Sequence, residues 1–262
     1  MIDVLFNSLD QQIFKDFELI LIDELERRNS LISEYIKNFN FQLKILRPKN
    51  TTAKFRACCH YNQGIIEADG ELIILIDDGT WVDWACLNRH WGHYIGHDKK
   101  ISLIGMTHEI SYPILRESFH NAWISIFKDE FESLSNLPIT RCDDKPIFHE
   151  DSGRWFCGNC SIPLNVLLDL NGYDEQYSNA PSSHDIDLGM RAEFYGWKFE
   201  MDEDCLNYRF NHRDIYKESY EPNWIDNYHL FVTKFKLMQI HKTSLRANNK
   251  YNLREERGKL GK

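Results

Sequence analysis

The 262-residue sequence predicts an α/β fold. Three observations carry that expectation. Leu72 to Ile76 form an unbroken apolar run, too short to cross a bilayer and suited to a strand buried on both faces. Helical apolar patterns alternate with β-rich runs through the first hundred or so residues, as βαβ units require. Asp77 and Asp78 then follow the apolar run at once, where a parallel strand presents its carboxyl end to the crevice of an open sheet.

Each element can be justified in turn. Leu5, Leu9 and Ile13 recur near helical spacing, and Phe17 to Ile22 make an apolar run ending at Asp23. Ser30 to Phe39 reads as a helix with a stripe at Leu31, Ile32, Tyr35, Ile36 and Phe39. Phe41 to Leu46 has β character and stops at Pro48. Thr51 or Thr52 caps a helix running to Ala68, which Asp69-Gly70 ends. After Leu72–Ile76 come a helix from about Trp84 to Ile95 and a strand at Ile101 to Met106. This alternation predicts a mainly parallel central sheet, and right-handed crossovers set Asp23 and Asp77 on one rim.

Beyond Thr107 the pattern weakens to a helix around Glu117 to Leu134 between loops, as far as Asp151. It returns at Trp155 to Ile162, followed by a short helix opened by Pro163 and a turn at Asn171-Gly172-Tyr173-Asp174. Ser178 to Ser183 has the make-up of a mobile loop. His184 to Tyr195 reads as a helix ending at Gly196, Lys198–Met201 and Cys205–Phe210 as a strand pair, and Trp224 to Ile240 as a last amphipathic helix. One domain over 1–240 is expected, with a polar, fraying tail over 241–262.

Composition excludes several classes. With 42% hydrophobic and 27% charged residues the chain is an ordinary globule. A net charge of −9 argues against nucleic acid as the main partner. No apolar stretch approaches the ~20 residues of a membrane helix, and the N-terminus lacks the pattern of a signal peptide. The seven cysteines, odd in number and scattered, predict reduced thiols and a cytoplasmic setting. Cys157 and Cys160 have C-x-x-C spacing without a second pair, and His90, His93 and His97 read as a solvated helix face.

Two acidic clusters carry the chemistry. Asp77 and Asp78 at a strand end call for positive charge, best met by a divalent cation carrying a phosphorylated ligand; an Asp-Gly turn is the competing reading. In His184-Asp185-Ile186-Asp187-Leu188 the two acids point about 200° apart on a helix. One then faces the crevice while the other caps the helix or pairs with Arg191, four residues on. First-turn carboxylates also suit the helix dipole without any further role.

The clusters occur in an ordered set: Asp77-Asp78-Gly79, Gly158-Asn159-Cys160-Ser161-Ile162, Asn171 to Glu175, His184 to Arg191, and Asn211-His212. Upstream, Ser8 to Ile20, Asn62 to Ile65 and Ala68 to Glu71 continue it. The chain resembles the family 2 glycosyltransferases of the GT-A fold over roughly residues 5 to 212, leaving out the stretch from 107 to 150, with some likeness to galactosyltransferase C-terminal regions. The resemblance implies a mainly parallel GT-A sheet flanked by helices, with a smaller acceptor-side region. It also implies inverting transfer from a nucleotide-diphosphate sugar, a UDP-sugar foremost, to a hydroxyl of a glycan or other acceptor. Asp23, Asp77 and Asp78 would hold the donor, joined by Trp155, Asn159 and Arg191. Trp81, like Trp155, is a candidate to stack on a base or sugar. Asp185 would be the catalytic base, with His184 and Asp187 at the acceptor. Asp78 and His212 would bind Mn²⁺ or Mg²⁺. Three departures stand out. Gly79 occupies the usual place of a third acid, His184 replaces a glutamate, and the first strand of the fold is missing from the sequence. A catalytically impaired nucleotide- or glycan-binding relative is the alternative.

Overall fold

The computed structural model of the chain describes residues 2–23, 32, 39–49, 56–111, 158–177, 183–211, 224–241 and 245–262. Helix α1 (Ile2–Asp10) buries Val4, Leu5, Phe6 and Leu9, while Ile13 lies beyond its end and is exposed. Gln12 is buried because its amide is consumed: Nε2 donates to Asp83 O at 2.6 Å, and Oε1 accepts from Leu87 N at 3.1 Å. Strands β1 (Glu18–Ile22) and β2 (Gln42–Leu46) pair in parallel from Glu18 opposite Gln42 to Ile22 opposite Leu46. Helix α2 (Ala57–Glu67) leads to β3 (Leu72–Ile76), and a turn at Asp78-Gly79 leads to β4 (Thr80–Val82). Next come α3 (Cys86–Gly96), β5 (Ile101–Ser111), β6 (Asn159–Pro163), α4 (Leu164–Asp169) and a 3₁₀ turn at Glu175–Tyr177. The chain closes with α5 (His184–Phe194), β7 (Lys198–Asn211), α6 (Trp224–His241) and α7 (Leu253–Lys259).

The α/β class holds, and the expected elements fall close to their places. The cap at Thr51 or Thr52, the helix at 117–134 and most of the segments 30–39 and 178–183 lie outside the described residues. The sheet itself is mixed. The larger one has the order β3-β6-β5-β7-β4, in which only β5 and β7 pair in parallel. Parallel strands were expected because apolar runs alternate with helices. A strand covered on both faces reads the same whichever way its neighbours run, so β6 gives no sign of its reversal. The expected strand pair at 198–210 is one strand. Its register against β5 jumps between Gly105 and Met106, whose partners are Asp202 and Leu206, so Glu203, Asp204 and Cys205 loop out.

Side-chain alternation splits the core between two layers. Ile73 and Leu75 of β3 join Ile65, Ile104, Ile162, Val166 and Leu188 on one face. Ile74 and Ile76 face Phe6, Phe41, Leu87 and Leu103 on the other. The uninterrupted apolar run is thus required by a sheet with helices on both sides.

The C-terminal stretch corrects the expectation of a fraying tail. Leu253 is fully buried, and its N–H donates to Asn171 Oδ1 at 2.9 Å. Arg257 Nη1 donates to Ile65 O at 3.1 Å and Ile66 O at 3.0 Å, and also to Ala68 O. A cation is therefore placed on the carbonyl end of α2, where orphan acceptors and the helix dipole both favour it.

The turn beneath α7 is tightly specified. Asn171 and Gly172 have φ of 59° and 68°. A Cβ on Gly172 would sit 2.2 Å from Asn62 Oδ1 and 2.8 Å from Leu253 Cδ2. Asn62 cannot yield, because its Oδ1 accepts from Tyr173 N at 2.8 Å while its Nδ2 donates to Tyr173 O at 2.9 Å. Gly172→Ala should therefore lower stability by more than about 1 kcal/mol, read as a fall in the urea midpoint at unchanged slope.

Candidate functional site

The rim at the carboxyl ends of β1 and β3 gathers the first acids. Glu18 Oε1 accepts from Asp69 N at 2.6 Å and Gly70 N at 3.3 Å, so β1 and β3 start side by side. Asp23 and Asp77 follow their far ends. Asp23 is enclosed, at 4% exposure. Asp77 is half-buried, and its Oδ2 accepts from Arg209 Nη1 at 3.1 Å. Asp78 is exposed on the following turn. Gly158 fits against this group: a Cβ there would lie 3.5 Å from Thr107 Oγ1 and 3.6 Å from Asp77 Oδ2. Its carbonyl accepts from Asn207 Nδ2 at 2.5 Å.

The second acidic cluster opens α5. Asp185 lies in the first turn with its side chain 21% exposed, and its Oδ1 is 3.1 Å from His184 Nε2. The His184 ring centroid stands 6.1 Å from Tyr173, which packs at 4.8 Å on Tyr61. The preceding Ser183 has φ of 62°, a strained conformation for a residue with a side chain. Burial pushes the Cys58 thiol up, and the charges of Asp185, Asp174 and Asp187 add to that shift. Cys58 is in the first turn of α2, the end that must lie at the carboxyl rim, since α2 returns from the end of β2 to the start of β3. Asp185 is thus near enough to the first turn of α2 for its charge to act on Cys58.

Asp187 and Arg191, expected at the acceptor and the donor, lie instead in the interior, both with side-chain exposure of 0%. Arg191 Nε donates to Asp187 Oδ2 at 2.7 Å, Nη1 to Leu170 O at 3.0 Å and Nη2 to Gly172 O at 2.9 Å. Lys234 Nζ lies 2.6 Å from Asp187 Oδ1 and 2.6 Å from Asp174 Oδ2, and Tyr177 Oη donates to Asp187 Oδ1 at 3.1 Å. The opposition of Asp185 and Asp187 around the helix is as the spacing predicts: Asp187 pairs with Arg191 in the interior while Asp185 keeps partial exposure.

Asn159, expected at the donor, is 2% exposed and fully engaged. Its Nδ2 donates to Met106 O at 3.1 Å and Cys205 O at 2.8 Å. Trp81 is buried opposite Tyr208. Trp155, Cys157 and His212 lie outside the described residues. The histidine face of α3 is divided. His90 is fully buried, whereas His93 Nδ1 sits 2.8 Å from Glu200 Oε2 and its Nε2 2.9 Å from Asp202 Oδ2. Arg209 and Lys234 escaped the sequence reading. Arg209 lies inside a β-rich run and Lys234 on an amphipathic helix, so only the tertiary pairing reveals them.

Asp77 and Asp78 offer carboxylate oxygens, the donors that suit a hard divalent ion. Asp78 is exposed and available, while Asp77 shares its charge with Arg209. No helix among the described residues is long and apolar enough to cross a membrane.

Comparison with solved structures defines the class. The chain superposes on S. aureus TarS 1-349 in complex with UDP-GlcNAc with a TM-score of 0.62 at 14% identity, over 97% of this chain and 65% of that one. Against the same TarS region in complex with UDP the TM-score is 0.54 at 16% identity, covering 92% of this chain and 69% of that one. GalNAc-T7 with UDP, GalNAc and Mn²⁺ gives 0.55 at 13% identity, over 93% of this chain and 48% of that one. No protein-family model and no curated protein matches the sequence. The fold is that of the GT-A glycosyltransferases. The chain spans about two thirds of the TarS region and about half of GalNAc-T7.

The buried ion cluster has a measurable consequence. Burial opposes ionisation of Asp187, but Arg191 and Lys234 prevail and hold its carboxyl below the usual carboxylate range. A carboxyl depressed by folding contributes stability that is full above its unfolded value of about 3.9 and is lost as pH falls through the folded value. Urea titrations should show stability declining below about pH 4. Asp187→Ala, which leaves the Arg191 guanidinium buried with no carboxylate on its Nε, should cost roughly 3–5 kcal/mol at neutral pH and flatten that decline.

Proposed function

We propose that the protein is a glycosyltransferase that moves a sugar from a nucleotide-diphosphate sugar to an acceptor hydroxyl, with inversion. What supports this reading is the GT-A fold together with carboxylates at the end of β3 and in the first turn of α5, Asp77 and Asp185, which the reading puts in one pocket. A UDP-sugar is the favoured donor, since the TarS and GalNAc-T7 structures hold UDP or UDP-GlcNAc. The enclosed Asp23 takes the base or ribose, and the Asp77–Asp78 turn takes the diphosphate. Arg209, already at Asp77, adds a fixed positive charge beside the leaving group.

Mn²⁺ or Mg²⁺ held by Asp78, with Asp77 beside it, would supply charge neutralisation at the departing diphosphate. Asp185 takes the acceptor proton, a step worth about 10²–10⁴ in rate when the base is well placed. His184, 3.1 Å from that carboxylate, orients it and faces the acceptor. Asp187 and Arg191 act at a distance from the reaction, by fixing the first turn of α5.

A second reading, nucleotide binding without turnover, is favoured by Gly79 in place of a third acid and by the Arg209 pairing of Asp77. Release of free sugar from UDP-sugars in the presence of Mn²⁺ distinguishes the two, because only the enzyme leaks donor into water.

Two substitutions test the roles. Asp185→Asn should lower transfer by at least about 10²-fold while donor affinity measured by calorimetry stays within a factor of a few; loss of donor binding would refute the role of a base. Asp78→Ala should remove the Mn²⁺-dependent part of the thermal shift given by UDP and leave the unliganded melting temperature unchanged.

A further inference from the structure

A second constellation, apart from the carboxylates, is built from Cys86, His90 and Cys205. All three residues are fully buried. Cys86 and His90 are one turn apart on α3, so they share a face of that helix. Cys205 arrives from the three residues that loop out of β7, a bulge that turns its side chain inward against α3. Gly105 permits this approach, because a Cβ there would meet Cys205 O at 2.5 Å and Asn159 Nδ2 at 2.3 Å.

The three side chains converge on one point. Cys86 Sγ and Cys205 Sγ are 3.6 Å apart, and a ring nitrogen of His90 lies within 4.8 Å of both. A disulfide would need about 2.05 Å between the sulfurs. Two thiolates on a tetrahedral zinc ion, each at about 2.3 Å, stand roughly 3.8 Å apart, close to the spacing observed.

The tautomer of His90 strengthens the case. The Asn159 amide is oriented by its own donors, since Nδ2 reaches both Met106 O and Cys205 O. Its Oδ1 therefore accepts, at 2.9 Å, from a protonated Nε2 of His90. Nδ1 is left buried with its lone pair, and the imidazole interacts with the Cys205 thiol. A histidine that ligates a metal through one nitrogen commonly donates its other N–H to an oxygen that fixes the ring, which is the relation Asn159 has to His90.

We propose that Cys86, Cys205 and a ring nitrogen of His90 supply three protein ligands of a zinc site that clamps α3 to the bulge of β7. Binding converts the two thiols to thiolates and releases two protons. Their two negative charges balance the Zn²⁺, so no net charge is left in the core. The site is independent of sugar transfer, and its proof or failure leaves that reading untouched.

Elemental analysis of the native chain, purified without chelator, tests it. About one zinc per chain should persist through gel filtration, fall at least tenfold in Cys86→Ser and Cys205→Ser, and remain in Cys160→Ser, whose thiol lies in the other core layer. Because the serine variants can misfold, chelator-stripped wild type is also titrated with Co²⁺, where thiolate-to-cobalt absorption should appear at one equivalent and zinc should abolish it. A native chain without zinc and without a cobalt signal overturns the proposal, as does a Cys86–Cys205 disulfide found by mass under non-reducing conditions.

Discussion

The buried cluster of Asp174, Asp187, Arg191 and Lys234 is the constraint on which the second half of the molecule depends. Its two carboxylates and two cations balance, which is the condition for keeping such groups out of water at all. Arg191 extends the network into the backbone, spending further N–H groups on Leu170 O and Gly172 O. One charged set therefore ties α5 to α6 and to the turn at 170–177. The other first-turn acid of α5, Asp185, inherits its position from this lock. A helix whose far face is fixed in rotation can hold a single carboxylate at a rim without further support from the rim itself.

The first half places its acids by different means. There the placement comes from apolar layering, with β3 sandwiched between two sets of hydrophobic side chains and its carboxyl end left to Asp77 and Asp78. Charge balance at that end is local, through Arg209 from β7. Among these acids Asp77 is already paired, Asp23 enclosed, and Asp78 and Asp185 open to solvent to different degrees.

Much of this was legible in the sequence, and the limits have physical causes. Leu72–Ile76 had to be a sandwiched strand, because nothing else explains an apolar run of that length between polar turns. The angular separation of Asp185 and Asp187 follows from helix geometry alone. Which of the two would turn inward does not, because that depends on Lys234 and the backbone carbonyls of 170–172, groups that spacing cannot bring together. Strand direction failed for a similar reason: burial on both faces imposes apolarity, and apolarity carries no arrow. The tail was misread because composition alone represents it as solvated, whereas Asn249, Asn252 and Arg257 spend their polar groups on the protein's own backbone.

The grip of Arg257 on the last carbonyls of α2 joins positions 192 residues apart. On a ribosome, the first half of the sheet emerges and collapses long before the residue that finishes its helix has been made. The domain must wait, with one helix end unsealed, until Arg257 itself has emerged. In that interval the unsealed end of α2 is a natural point for chaperone attention.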